Sequence, residues 1–243
     1  MGAGKIVCLD AGHDAGNRAN ASPDGSYFEH EFALDMAGRI RKVLEAAGVT
    51  VVETRPDGNA VSLAERCQIA NAVDGLDLFV SLHSNAAASS GWSNARGWEC
   101  YVYGFSGARY AAAKAILARV DGVAPAIRST PIWEKPGLYV IKHTNAPAVL
   151  IEHGFHTNKR DVELLKDPGY RQRLAEAEAA GILDWLGIEV PTAKTEAELA
   201  AEWITREGIM LGNESGDLML DQPLTRGQFV TMLHRYHSRF NNA

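Results

Sequence analysis

Apolar positions along the chain alternate between short continuous runs and stretches with helical spacing. Lys5-Ile-Val-Cys-Leu-Asp10 is a run that ends in Ala11-Gly12-His13, which predicts a buried strand feeding a loop. A Gly/Asn/Ser/Pro-rich loop covers Asp14 to Ser26. From Glu29 to Ala47, the residues Phe32, Met36, Ile40, Val43 and Leu44 repeat at helical spacing, and Gly48 closes the helix. Val49–Glu53 reads as a second strand, and Ser62-Leu-Ala-Glu65 as a capping box opening a helix through about Val73. Asp77–Leu82 is a third strand, delivering His83. Gly97–Tyr103 alternates and predicts a strand at the sheet's edge, followed by a helix over Ala108–Val120. Leu138–Lys142 and Ala148–Glu152 read as further short strands, and Asp161–Leu186 as one long helical stretch.

Strands alternating with crossovers of this length require parallel pairing and helices packed on the sheet. The expected class is α/β: a mostly parallel twisted sheet with helices on both faces, plus a small all-helical C-terminal segment. The pattern breaks near Val190-Pro-Thr192, so Thr192–Thr195 reads as a linker and the expected domains are 1–191 and 192–243. In the second, Thr195-Glu-Ala-Glu198 and Thr225-Arg-Gly-Gln228 are capping boxes for two amphipathic helices, one carrying Leu199 and Trp203, the other Phe229, Met232, Leu233, Tyr236 and Phe240. About 50 residues make a small core, which is expected to lean on another surface.

Composition narrows the chemistry. In 243 residues, 24 Lys+Arg stand against 30 Asp+Glu, a net charge of −6 that disfavours a nucleic-acid partner. No apolar run reaches the ~18–20 residues of a membrane span. Met1-Gly-Ala-Gly-Lys5 has no basic-then-apolar signal pattern, so the expected chain is made in the cytoplasm without a cleaved signal. Cys8, Cys67 and Cys100 are few, odd in number and far apart, which predicts buried small hydrophobes rather than disulfides. Gly2–Lys5 lacks phosphate-loop spacing, the Gly104–Ala108 segment misses a glycine of the nucleophile elbow, and no H-E-x-x-H occurs.

Function in an open parallel sheet gathers beyond the carboxyl ends of its strands. His13, His83 and Glu152 fall at such ends. Two histidines and a carboxylate converging there make an open catalytic zinc site, with water as fourth ligand. A second carboxylate must serve as third ligand or general base. Glu29, at the loop-to-helix entry, is the candidate, with Glu31 as competitor on another side of the helix. His30, His143, His153, His156, His234 and His237 show no such convergence; His153 and His156, near Glu152, are assigned at most a part in orienting substrate.

Leu9-Asp-Ala-Gly-His13, Glu29 six residues before Asp35, Leu63-Ala-Glu-Arg66…Ala70-Asn71, Asp77-Leu-Phe-Val-Ser-Leu-His83-Ser-Asn85 and Pro147-Ala-Val-Leu-Ile-Glu152-His-Gly-Phe155…Asn158 together resemble the zinc-dependent N-acetylmuramoyl-L-alanine amidases of the amidase type 3 group. The resemblance covers about Lys5 to Leu186. It implies Zn²⁺ held by His13, Glu29 and His83, with Glu152 as the catalytic carboxylate. The implied reaction cuts the peptidoglycan amide between N-acetylmuramic acid and L-alanine. Ala201-Glu-Trp203…Gly208…Gly212…Gly216-Asp217…Leu224-Thr-Arg226…Phe229…Arg235 is similar to a single S-layer-homology motif, which implies a secondary cell-wall polymer as partner. The combined expectation is a phage endolysin acting on the wall at host-cell lysis. The alternatives are a bacterial autolysin of the same activity, a zinc hydrolase of another amide, and a catalytically silent wall-binding protein.

Overall fold

In the computed structural model, which describes residues 4–16, 20–87, 91–125, 127–190, 196–213 and 216–240, the apolar runs assemble into a six-stranded sheet. Its strands are β1 (Ile6–Ala11), β2 (Thr50–Glu53), β3 (Leu78–Asn85), β4 (Trp98–Val102), β5 (Ile127–Glu134) and β6 (Ala148–Phe155), in the order β2-β1-β3-β6-β4-β5. β2, β1, β3 and β6 pair in parallel; β4 is antiparallel to β6 and β5 is parallel to β4. The helices of this unit are α1 (Glu29–Ala46), α2 (Leu63–Asn71), α3 (Gly107–Val120), α4 (Tyr139–His143), α5 (Lys159–Lys166) and α6 (Pro168–Leu186). The α/β class read from the sequence is the class observed.

Strand residues alternate between the two faces. One face carries Leu9, Val80, Cys100, Val149 and Ile151, buried with Phe32, Met36 and Ile40 of α1, Ile116 of α3 and Leu174 and Ile182 of α6. The other carries Cys8, Phe79, Tyr101 and Leu150, covered by the short α2 and α4 through Cys67, Ala70, Val140 and Ile141. Toward the carboxyl ends of the parallel strands that second face turns polar, with Asp10, Ser81, His83 and Glu152 in sequence positions that keep the same parity. The three cysteines are buried and free, as expected.

Three expectations need correction. β4 is not at the edge: β5 lies outside it, unrecognised because Pro131 interrupts the run, and an edge strand is where a sheet tolerates proline. Leu138–Lys142 is not a strand, since Tyr139–His143 forms the single helical turn α4; a short apolar run carries no period to separate the two. The long helix over Asp161–Leu186 is two helices. Asn158 caps α5 by accepting from Arg160 N and Asp161 N, and Asp167 caps α6 by accepting from Gly169 N, with Pro168 opening the second helix where its missing N–H costs nothing.

Residues Thr192–Ala243 form a separate compact unit holding α7 (Glu196–Arg206) and α8 (Arg226–Phe240). The expected linker and the first capping residue, Thr195, lie outside the described residues. The second box is present: Gln228 N donates to Thr225 Oγ1 at 3.2 Å, and Thr225 N donates to Gln228 Oε1 at 2.9 Å. Trp203 stacks on Phe240 with ring centroids 6.0 Å apart. Neither helix has a buried residue among those described, and in this unit Ile209 is the buried apolar side chain.

The α3–α6 packing depends on one glycine. A Cβ on Gly181 would collide with the Ile116 Cα and stand 2.8 Å from the Ala115 carbonyl oxygen, both backbone atoms with nowhere to go. Gly181→Ala is expected to cost about 2–3 kcal/mol by forcing the helices apart, despite alanine's better helix propensity. Urea unfolding followed by circular dichroism measures it; an unchanged midpoint contradicts this packing.

Candidate active site

Each polar side chain at the carboxyl end of the sheet arrives on a different element. β1 contributes Asp10, whose buried carboxylate accepts from Thr54 Oγ1, Ser81 Oγ and Arg66 Nη1, each at 2.6 Å. Arg66, reaching over from α2, also donates to the Ala11 carbonyl and, at 2.7 Å, to that of His13. Arg55 donates to the carbonyls of Ala11 at 3.1 Å and His30 at 2.8 Å. Two guanidiniums thus fix the backbone that presents His13. That residue has a φ of +55°, a left-handed conformation uncommon outside glycine and held here by its surroundings.

His83, on β3, stands with its ring edge-on to His13, centroids 4.9 Å apart. Gly12 makes the room: a Cβ there would collide with the His83 ring. Glu29, the first residue of α1, is buried and turned toward both histidines. Its Oε1 lies 2.9 Å from His83 Nδ1 and 3.4 Å from His13 Nε2, and accepts from Ser84 N at 2.9 Å. Glu31 points elsewhere, its side chain 69% exposed. One ligand atom each from His13, Glu29 and His83 lies within 4.8 Å of the others.

The hydrogen bonds indicate what this trio is built to hold. The Ser81 hydroxyl gives its proton to Asp10 and can only accept from His83 Nε2, 3.1 Å away. That chain selects the tautomer with the His83 proton on Nε2 and leaves the Nδ1 lone pair facing the Glu29 carboxylate. A lone pair and an anionic oxygen at 2.9 Å repel unless a cation or proton lies between them. Burial acts to raise the Glu29 pKa, but with a proton between them the hydrogen bonds and charges of His13 and His83 outweigh it and hold the carboxyl below its ordinary value. An ionised carboxylate and two imidazoles are the donor set of a catalytic zinc site, so the residues fit a divalent metal.

Glu152 is placed by β6 directly beside His83 of β3 and opposite Glu99 of β4. Its Oε2 is buried and, among the described residues, has no hydrogen-bond partner. Burial, then the charges of Glu29 and Glu99, push its pKa well above the ordinary carboxylate value. Such an orphaned, destabilised carboxylate marks a functional position. A cleft of about 430 Å³ opens beside the two histidines, walled by Gly12, His13, Leu63, Arg66, His83 and Tyr139.

His153 and His156, given at most a part in orienting substrate, are both buried and partnered within the protein. His156 is buried behind Glu29, with Nδ1 3.0 Å from Ser84 Oγ and 3.8 Å from Glu29 Oε2. His153 faces the opposite side of the sheet, donating from Nδ1 to the His83 carbonyl at 2.7 Å, with its Nε2 3.0 Å from Glu178 Oε2. Glu178 of α6, which also accepts from Trp98 Nε1 at 3.0 Å, gave no sign of this in the sequence, because a glutamate in a helix reads as solvated. Arg66 carried a signal as part of the Leu63–Arg66 string; Arg55 carried none.

Known proteins share this sequence pattern and fold. The sequence model of the N-acetylmuramoyl-L-alanine amidase family matches residues 7–184. The germination-specific N-acetylmuramoyl-L-alanine amidase of Bacillus subtilis is 30% identical over 197 residues, covering 74% of this chain and 79% of that protein. The probable cell wall amidase LytH of Staphylococcus aureus is 32% identical over 183 residues, 74% of this chain and 57% of its own. The catalytic domain of CwlV, an N-acetylmuramoyl-L-alanine amidase from Bacillus (Paenibacillus) polymyxa, superposes with a TM-score of 0.67 at 29% identity, over 76% of this chain and 99% of that one. From His13 to Glu152, the polar cluster lies within the matched residues, and the chain belongs to the N-acetylmuramoyl-L-alanine amidase family.

Proposed function

We propose that this protein is a zinc-dependent peptidoglycan amidase that separates N-acetylmuramic acid from the L-alanine of the stem peptide, with His13, Glu29 and His83 as metal ligands and Glu152 as catalytic carboxylate. The observation that carries the reading is the convergence of the trio within 4.8 Å beside an unpartnered buried carboxylate, in a chain of this family. When bound, zinc supplies Lewis-acid chemistry: it polarises a carbonyl and makes water acidic enough to attack near neutral pH. The protein's own residues do the rest. Asp10 and Ser81 hold the His83 tautomer, and Arg66 and Arg55 hold the His13 backbone. Glu152 Oε2, with no competing donor, takes the proton of the attacking water and passes it to the alanine nitrogen as the C–N bond breaks and a C–O bond forms. Its raised pKa brings its basicity closer to neutral pH, where proton transfer in both directions is efficient.

Two biological settings suit that activity. An endolysin released at host-cell lysis suits a catalytic unit with a small appended module. A bacterial wall-remodelling enzyme is favoured by the relatives named above, which are bacterial. A gene among phage lysis genes supports the first, and one at a chromosomal wall locus the second. The unit Thr192–Ala243 is assigned to a cell-wall polymer through its S-layer-homology-like motif.

His83→Ala is expected to lose stoichiometric zinc by elemental analysis, and zinc retained there overturns the ligand assignment; Glu31→Gln should keep the metal, and its loss there moves the ligand role from Glu29 to Glu31. Glu152→Gln should retain zinc and fold while losing about 10²–10⁴-fold in rate, read by mass analysis of peptides freed from purified peptidoglycan. The same change should raise the melting temperature of the metal-free protein at neutral pH. A carboxyl whose folded pKa lies above its unfolded value loses stability as pH rises from the unfolded pKa through the folded one, and glutamine removes that loss. Truncation at about Thr192 should lower pelleting with whole walls while leaving cleavage of soluble muropeptides intact. With five Lys+Arg and seven Asp+Glu from Thr192 onward, binding by this unit should resist added salt. If truncation only converts a dimer to a monomer, the unit is an assembly device.

A further inference from the structure

Strand β6 sets Glu152 between His83 and Glu99, and those two neighbours line different pockets. The cleft over His13 is one. The other, about 260 Å³, is walled by Asn85, Glu99, Tyr101, Trp133 and Lys135. Its side chains continue the same face of the sheet: Glu99 and Tyr101 share a face of β4, and Trp133 of β5 is the register partner of Tyr101. Adjacent strands are about 4.8 Å apart and successive residues about 3.3 Å, so Trp133, two strands across and two residues along, stands about 12 Å from Glu152.

Lys135 brings a cation to this pocket. Lys135 follows β5, two residues beyond Trp133, anchored by its backbone N–H to the Val102 carbonyl at 2.9 Å. Its Nζ lies 5.4 Å from the centroid of the Tyr101 ring and 6.0 Å from that of Trp133. Among the described residues no carboxylate forms an ion pair with it. Glu99 faces the pocket as well, but its Oε1 accepts from Asn85 Nδ2 at 2.7 Å and from the Tyr101 hydroxyl at 2.5 Å, and the residue is buried. The ammonium is left at the rim, held over two aromatic faces.

We infer that this pocket receives the stem peptide, with Lys135 pairing to a free carboxylate two or three residues beyond the scissile amide. The inference rests on the amidase reading and deepens it. In such a substrate the lactyl carboxyl is consumed in the amide and the sugars are neutral, so free carboxylates occur on the peptide side. An extended peptide advances about 3.3–3.6 Å per residue, so two or three residues cover most of the ~12 Å from Glu152 to Trp133, and the Lys135 side chain, lying over Tyr101 one strand nearer, closes the rest. The glycan then occupies the cleft over His13.

The test is a cycle of two enzymes and two substrates on the full-length zinc-loaded protein. N-acetylmuramoyl pentapeptide carries either a free α-carboxylate on its second residue or the matching carboxamide. Wild type is expected to show a KM about five-fold lower for the carboxylate form with similar kcat, the upper range for a solvent-accessible ion pair. Lys135→Ala should remove that preference by raising KM for the carboxylate form alone, and Lys135→Arg should restore it. Equal KM values in wild type, or an equal loss on both substrates in Lys135→Ala, overturn the subsite while leaving the amidase reading intact. If wild type releases peptide from neither substrate nor intact peptidoglycan, the amidase reading falls and the subsite with it.

Discussion

A single buried carboxylate, Asp10, organises the functional end of the sheet. It accepts hydrogen bonds from β2 through Thr54, from β3 through Ser81 and from α2 through Arg66. An aspartate with no partner there would be heavily penalised for leaving water, so β1, β2, β3 and α2 must arrive together for any one arrangement to be favourable. The partners then transmit its position outward. Arg66 grips the carbonyls on either side of Gly12, and Ser81 turns its lone pair to His83. Both histidines are therefore aimed by the same anion.

The opposite face solves a similar problem with a different pair. Glu178, brought under the sheet by α6, is fully buried and satisfied by Trp98 and His153. His153 passes the constraint through the sheet to the His83 carbonyl. The β3 segment bearing His83 is thus clamped from both faces, by Asp10 through Ser81 and by Glu178 through His153. Removing either partner of such a buried pair leaves a charge stranded, which typically costs 3–5 kcal/mol. Such rigid placement suits the proposed metal site, because small errors in geometry cost rate steeply.

Against this satisfied framework the unsatisfied groups stand out. His13 is held at positive φ, and Glu152 Oε2 is buried without a donor. Strain and an orphaned carboxylate both work against folding, and both lie at the carboxyl end of the parallel strands, where the proposed chemistry needs them. The large apolar face formed with α1, α3 and α6 supplies the stability that offsets them.

Period and punctuation in the sequence determined the α/β class, the strands that carry His13, His83 and Glu152, and the capping boxes at Ser62 and Thr225, because those signals are local. The motif strings carried the family and the four candidate residues. Whether Glu29 or Glu31 turns inward was not a local matter: it followed from α1 docking its Phe32–Met36–Ile40 face on the sheet, which carries Glu29 to the histidines and leaves Glu31 in solvent. The outer position of β5, the helical turn at Tyr139 and the break at Asp167-Pro168 were decided the same way, by which neighbours each segment found. Glu178, His153, His156 and Arg55 were illegible for one reason. A charged residue in a sequence reads as solvated, and only the tertiary structure supplies the buried partner that makes its burial affordable.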